Sequence, residues 1–293
     1  MIFVFGAILQ SIRIATDPEE TFGTVHYAKH YKNSVGGKGA LQALAAAKAG
    51  AKTALAGKMG DDELAKHILL RLRTHGVITS GVAKAEKLQT GTSIRIVDEN
   101  RTILAMGASA YAKAHQLPAE TFSSDSTLLL QTEVNMEENS KLLATAKKAE
   151  TTTILNLSPK AYISDEDLAN LDYLIAPATS KKALNHVLDA KHLTIIFIST
   201  DGSCELIVKG GPPSKIPKPA HEALNWKYPE GAEDTFCGTF TAGIDMGLSL
   251  EKAIERAHIA ASLTASVNGA YDAIPFSDMV DECIKALQTQ KGN

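Results

Sequence analysis

Short apolar runs alternate with helix-length amphipathic segments along most of this chain, a pattern that predicts a mainly parallel sheet covered by helices. The strand candidates are Ile2 to Phe5, Thr53 to Ala56, Thr127 to Leu130, Thr153 to Leu155, Tyr173 to Ile175 and Thr194 to Ile198. Helical periodicity runs over Gly39 to Ala49, Asp62 to Thr74, Glu137 to Lys148, Ser180 to Leu188, Thr235 to Met246, Leu250 to Val267 and Ser277 to Thr289. Two segments, Thr24 to Lys32 and Thr90 to Gly107, break the alternation and have to pair outside the main sheet. No internal repeat or low-complexity linker interrupts the pattern.

Composition narrows the class. With 293 residues, 44% of them hydrophobic, the chain can bury a large core as one α/β domain with an appendage. A net charge of −3 and the lack of basic runs give no footprint for nucleic acid. No apolar stretch approaches the roughly 20 residues needed to span a membrane. The run Met1 to Leu9 has no basic region before it, so it reads as a first buried strand and the cytoplasm is the default location. Cys204, Cys237 and Cys283 are too scattered for a disulfide framework or a zinc site. Cys237, in the first turn of a helix, could have its thiol activated by the helix dipole, or could be an inert core filler.

The chemistry concentrates in Gly231-Ala232-Glu233-Asp234-Thr235-Phe236, at the start of a helix. Small residues at 231 and 232 allow a tight turn, and first-turn N–H groups with the positive dipole end favour an arriving anion. Asp234 there is either a helix cap or a carboxylate placed to take a hydroxyl proton. A second motif, Gly36-Gly37-Lys38-Gly39-Ala40-Leu41-Gln42, enters an alanine-rich helix without the spacing or Lys-Ser/Thr ending of a Walker loop.

These two motifs, with Gly57-Lys58-Met59-Gly60-Asp61-Asp62-Glu63 between them, resemble the ribokinase-like (PfkB) family of carbohydrate kinases. Gln131-Thr132-Glu133, Asn156-Leu157-Ser158-Pro159 and Ala257-His258-Ile259-Ala260-Ala261 follow in the family's order. The resemblance spans nearly the whole chain. It implies a ribokinase-like α/β domain over residues 1–293, with a small β lid from about 12–35 and 88–109. It also implies ATP and Mg2+ as cofactors, Asp234 as the catalytic base, and the backbone of Gly231, Ala232 and Glu233 as the phosphate-binding turn. Substrate-side candidates are Gln10, Ser11, Gly36, Gly37, Lys38, Gln42, Glu133 and Asn156. Nucleotide-side candidates are Lys181, Ser199, Asp201, Gly202, His258 and Ala261. The lid would exclude water, and the diglycine serves either as its hinge or as a close helix–sheet contact.

Several positions depart from the family's pattern. Glu233 stands where the second glycine of Gly-Ala-Gly-Asp belongs, adding a side chain where φ > 0 could be needed and a negative charge beside the phosphate path. Tyr228-Pro229-Glu230 replaces residues associated with a monovalent-cation site, so potassium activation does not carry over. The Asn-x-x-Glu that helps organise magnesium is Ala178-Thr179-Ser180-Lys181, which leaves the metal ligands unassigned. Leu9 and Leu41 replace polar sugar-binding groups, pointing to an acceptor that is smaller, less hydroxylated or partly apolar.

The expected function is ATP-dependent phosphorylation of a hydroxyl on a small carbohydrate or related metabolite. The alternative is a weak or inactive relative that binds a nucleotide or small ligand. Val25, Tyr27, Ile94, Ile96 and Ile103 give the lid an alternating apolar pattern that suits a symmetric homodimer, or a face that closes over substrate.

Overall fold

A computed structural model describes residues 1–23, 25–160, 162–219 and 224–291. Thr24, the first residue of one expected lid segment, lies outside them. The central layer is a nine-stranded sheet in the order β13-β12-β11-β10-β9-β8-β1-β4-β5. Its parallel part comprises β1 (Ile2–Phe5), β4 (Thr53–Gly60), β5 (Ile78–Ala85), β8 (Thr127–Gln131), β9 (Thr152–Asn156), β10 (Tyr173–Pro177) and β11 (Thr194–Ile198). β12 (Cys204–Val208) and β13 (Ser214–Ile216) extend one edge antiparallel.

The continuous apolar runs arise because both sheet faces are buried. Along β1, Ile2 and Val4 join one core with Leu129, Ile154 and Ile196. Phe3 and Phe5 project to the other core with Leu128, Leu130 and Leu155. The first core is covered by α1 (Lys38–Lys48), α2 (Glu63–Thr74), α5 (Ala232–Asp245) and α6 (Leu250–Ser266); the second is covered by α3 (Met136–Lys148) and the short α4 (Asp165–Ala169). α7 (Ser277–Lys291) packs on α6 through Val280, against Ile259 and Ala260. Caps match the local sequence: Asp62 accepts from Ala65 N, Asn135 from Glu137 N, and Ser249 from Lys252 N.

One expected helix is corrected. In place of a helix over 180–188, residues 178–187 hold two separate 3-10 turns, Ala178–Ser180 and Asn185–Val187. Thr179, Ser180, Asn185 and His186 are weak helix formers whose side chains compete for backbone groups. β5, outside the expected strands, alternates buried and exposed positions irregularly and carries little apolar periodicity.

The segments that broke the alternation form a separate four-stranded sheet, β3-β2-β6-β7, from β2 (Leu9–Phe22), β3 (Val25–Gly36), β6 (Thr90–Ile96) and β7 (Arg101–Gly107). This sheet grows directly from the carboxyl end of β1. Adjacent to it, β1 pairs with β4 on one side and β8 on the other, so the chain reverses its winding direction there. Ligands of open α/β sheets bind outside the carboxyl ends of strands at such a switch point.

Candidate active site

The diglycine joins the small sheet to α1 in a closely packed turn. Gly37 has φ +86, and a Cβ there would lie 2.5 Å from the carbonyl oxygen of Ala7. A Cβ on Gly39 would lie 2.7 Å from Gly6 C. Only glycines let the first turn of α1 rest on the β1–β2 connection. That contact carries Lys38 to the carboxyl end of β8, where its backbone N–H donates to Glu133 Oε2 at 2.7 Å.

Helix α5 begins opposite. Gly231 caps it in the left-handed region at φ +78, and a Cβ there would lie 3.0 Å from Ala270 Cα, so the turn requires glycine twice over. Glu233 is not among the residues with positive φ, so the expected conflict between its side chain and the backbone does not arise. Its position is ordinary first-turn helix, where a carboxylate suits the dipole. The Ala232 N–H is turned onto Pro229 O at 3.2 Å. The first-turn N–H groups of Glu233 and Asp234 have no i−4 carbonyl within the helix.

The two motifs meet in a closed ring of five side chains. Lys38 Nζ lies 3.2 Å from Asp234 Oδ1 and 3.3 Å from Glu233 Oε1. Gln42 Nε2 donates to Asp234 Oδ1 and to Asn156 Oδ1, each at 2.9 Å. Asn156 Nδ2 closes the ring on Glu233 Oε1 at 2.8 Å. Gln42 and Asn156 are fully buried, so they hold the carboxylates from beneath and do not present open faces to a ligand. The Gln42 carbonyl Oε1 is buried without a partner.

Burial pushes the Asp234 carboxyl up; Lys38 opposes this and Glu233 adds to it. Burial would also raise Glu233, but Lys38 and hydrogen bonds from Asn156 and Ser158 outweigh it and hold that group down. Lys38 loses from burial and gains more from Asp234, Glu233 and Glu133, so its ammonium is held firmly protonated. Glu233 thus arrives with its own counter-charge. Cys237 is inert: burial, joined by the neighbouring carboxylates, pushes its thiol well above the usual range, against the activation a helix dipole could have given.

Burial raises the half-buried Glu133 to about 7 despite Lys38. A raised folded-state pKa contributes stability that is complete below the unfolded value near 4.5 and is lost as pH rises through 7. Glu133→Gln cannot titrate. Its stability is therefore expected to gain on that of the natural protein between pH 5 and pH 8, by at most about 2–3 kcal/mol, read as a rising difference in melting temperature. A constant difference across that range would remove the linkage.

The other expected site residues separate into groups. Gln10 and Ser11 are successive on β2 and so face opposite sides of the small sheet. Gln10 lines a cleft of about 40 Å³ with Asn33, His67 and Arg71. Ser199, Asp201 and Gly202 form a tight turn after β11, in which Gly202 N donates to Ser199 O at 3.0 Å and Ser203 Oγ to Asp201 Oδ1 at 2.7 Å. Buried His258 hydrogen-bonds Gly202 O through Nε2 and so pins this turn to α6. His258 also lines a cavity of about 620 Å³ with Ile216, Lys218, Ile254 and Glu255. Ala261 lies in the core, and Lys181 is paired with Glu205 Oε1. The residues of β13 and the following loop that wall this cavity carry no motif that sequence reading could have caught.

Magnesium, implied by the family resemblance, finds no protein cage here. Among the described residues no cluster of three acidic, histidine or cysteine side chains could hold a metal. Ala178 offers no side-chain oxygen, and Lys181 brings a positive charge.

A family model described as pfkB family carbohydrate kinase matches residues 1–276. The ribokinase of Bacillus subtilis is 26% identical over 293 residues, an alignment covering 97% of this chain and 99% of that protein. The deoxyribokinase of Salmonella typhi is 24% identical over 301 residues, covering 96% and 97%. Among solved structures, ribokinase from Thermotoga maritima matches with a TM-score of 0.84 at 24% identity, covering 97% of this chain and 99% of that one. Arabidopsis thaliana ribokinase, complexed with ribose and ATP, matches with a TM-score of 0.81 at 24% identity, covering 96% and 97%.

Proposed function

Because the chain belongs to the pfkB family of carbohydrate kinases, we propose that it transfers a phosphoryl group from ATP to a hydroxyl of a small carbohydrate or related metabolite. The observation that carries this reading is the Asp234 carboxylate at the start of α5, 3.2 Å from the ammonium of Lys38. Lys38 and Gln42 both engage Oδ1, which leaves Oδ2 as the oxygen offered to an acceptor hydroxyl. Asp234 takes that proton as the hydroxyl attacks, and the first-turn N–H groups of Glu233 and Asp234, with the helix dipole, stabilise charge on the transferred group. The adenine base and ribose of ATP would use the cavity beside His258, whose walls are partly apolar.

Glu133 and Ser11 are the polar groups proposed to orient the acceptor; buried Gln42 and Asn156 act by fixing Asp234 and Glu233. Magnesium would enter with the nucleotide phosphates, since that ion keeps several waters and needs few protein ligands. Potassium has no proposed role. The reading places the protein in the cytoplasm, and no helix among the described residues is long and apolar enough to cross a membrane.

A thermal-shift screen with ATP and ADP, followed by measurement of ADP formation over a panel of pentoses, deoxypentoses and polyols, tests the proposal. ATP is expected to raise the melting temperature, and at least one acceptor to release ADP above the background hydrolysis. Absence of any nucleotide stabilisation at millimolar ATP would overturn it.

The four-stranded sheet is proposed as both lid and dimer surface. Val25, Tyr27 and Ile103 are 54%, 53% and 47% exposed, apolar side chains on strands of this sheet that pairing of two lids would cover. Sedimentation at micromolar concentration is expected to show a dimer that Ile94→Glu or Ile96→Glu dissociates. A 31.2 kDa monomer for the natural chain contradicts the proposal.

A further inference from the structure

Three cations occupy one rung of the small sheet. Arg13 on β2 lies directly opposite Lys32 on β3 and Arg95 on β6. Direct cross-strand neighbours project from the same face, and like charges placed so are destabilising unless each finds a counter-charge. The carboxylates that answer this rung come from outside the sheet. Arg13 Nε lies 2.9 Å from Glu230 Oε2, and Arg95 Nε lies 3.3 Å from Glu230 Oε1. Arg13 Nη1 also donates to Asn268 Oδ1 at 2.5 Å. Lys32 Nζ pairs with Asp272 Oδ2 at 2.8 Å, and Arg71 of α2 holds the other oxygen of Asp272 at 2.9 Å. Arg95 is braced within the sheet by Thr102 Oγ1 at 3.1 Å and by Asn100.

The acceptors of this rung lie on two loops, and both loops frame the start of α5. Glu230 immediately precedes Gly231, the left-handed cap of that helix. Asn268 and Asp272 belong to the loop after α6, which contains Ala270, the residue pressed against Gly231. Arg13 is the one member of the rung that touches both loops, through Glu230 and Asn268. Its side chain is only 16% exposed, so water does little to screen it.

We propose that Arg13 is a positioning residue whose guanidinium docks the small sheet onto the anion-binding turn, so that closure of the sheet over the site and formation of the Gly231 turn occur together. This inference rests on the phosphotransferase reading for its function, though its structural part does not. A guanidinium suits the role because its planar fork can hold a carboxylate and an amide oxygen at once, which a lysine ammonium on a flexible stem does less well. The stretch Tyr228-Pro229-Glu230, which departs from the family's sequence, is where this tether attaches.

The test uses the full chain with Arg13→Ala and Arg13→Lys. Amide hydrogen exchange is followed, without any nucleotide, at Tyr228, Ala232 and Thr235, whose N–H groups are bonded to Ala265 O, Pro229 O and Gly231 O at 2.7, 3.2 and 2.8 Å. Exchange at these three is expected to quicken at least tenfold in Arg13→Ala, with exchange in the core strand β8 unchanged. Ethylguanidinium at millimolar concentration should slow it again, and ethylammonium should not. ADP affinity, measured by calorimetry, should fall at least tenfold in Arg13→Ala and recover with the same compound. If Arg13→Ala unfolds, Arg13→Lys carries the exchange and calorimetry measurements, with intermediate values expected. Natural rates of exchange at the turn in either folded variant would overturn the tether. A natural chain that binds no ADP would instead remove the phosphotransferase reading, while the exchange measurements would still decide whether Arg13 holds the turn.

Discussion

Asp234→Asn is expected to lower ATP-dependent phosphorylation by about two to four orders of magnitude while leaving ADP binding within a few-fold of the natural protein. The substitution keeps the shape of the side chain and can still accept from Gln42 through its carbonyl oxygen, so the buried ring should survive. What disappears is the carboxylate held by both Lys38 and Gln42, whose Oδ2 is the oxygen offered to the acceptor hydroxyl; Glu233 keeps its charge. A general base lost in this way should reduce kcat far more than KM for the nucleotide. The folded state should tolerate the change, because burial already works against the Asp234 charge. Single-turnover measurements, once an acceptor is found, separate this from a slowed product release. Unchanged turnover would remove Asp234 from the chemistry and leave it as a helix-terminal carboxylate.

How much of this was legible in the sequence follows from which interactions are local. Strands β1, β8 and β11 were readable almost residue for residue, since strands buried on both faces need uninterrupted apolar runs. Interrupted alternation marks the small sheet only over 24–32 and 90–107, and the wider bounds of about 12–35 and 88–109 come from the family resemblance. β2 runs on to Phe22 and β3 reaches Gly36, because pairing with each other and with β6 overrides weak local preferences. The 3-10 turns at 178–187 show the reverse case, where periodicity suggested a helix and polar side chains competing for the backbone prevented it.

At the site, the family resemblance put Lys38, Gln42, Asn156 and Asp234 among the candidates from three separate stretches, and in the structure their side chains are in hydrogen-bond contact. It could not reveal that Gln42 and Asn156 face inward, because orientation depends on the packing of α1 against α5. Nor could it find that Arg13 and Arg95, made neighbours by sheet register, both meet Glu230 on the loop before α5. Sequence alone puts the Glu233 charge beside the phosphate path without naming the side chains that answer it. Its partners, Lys38 and Asn156, lie 195 and 77 residues away.

Glu233→Gln is expected to tighten ATP binding by about tenfold to a hundredfold at low ionic strength, with the gain shrinking as salt rises. A carboxylate about 5 Å from a phosphate charge opposes it by roughly 3 kcal/mol at an effective dielectric near 20. Glu233 is 29% exposed, so screening brings the expected effect towards the lower end of that range. Glutamine is the informative replacement, because position 233 is ordinary helix and gains nothing from the freedom of glycine. Its amide oxygen can still accept from Asn156, while Lys38 is left to pair with Asp234 and to meet incoming phosphate. The same change should cost a little stability, about 0.3–1 kcal/mol, because it removes a favourable charge from the first turn of α5. Tighter nucleotide binding in a slightly less stable protein is therefore the expected signature, read by calorimetry and thermal melting together. Weaker ATP binding in a folded Glu233→Gln variant would mean that the carboxylate helps hold the nucleotide, and Glu233 would then have to be counted among the groups that engage it.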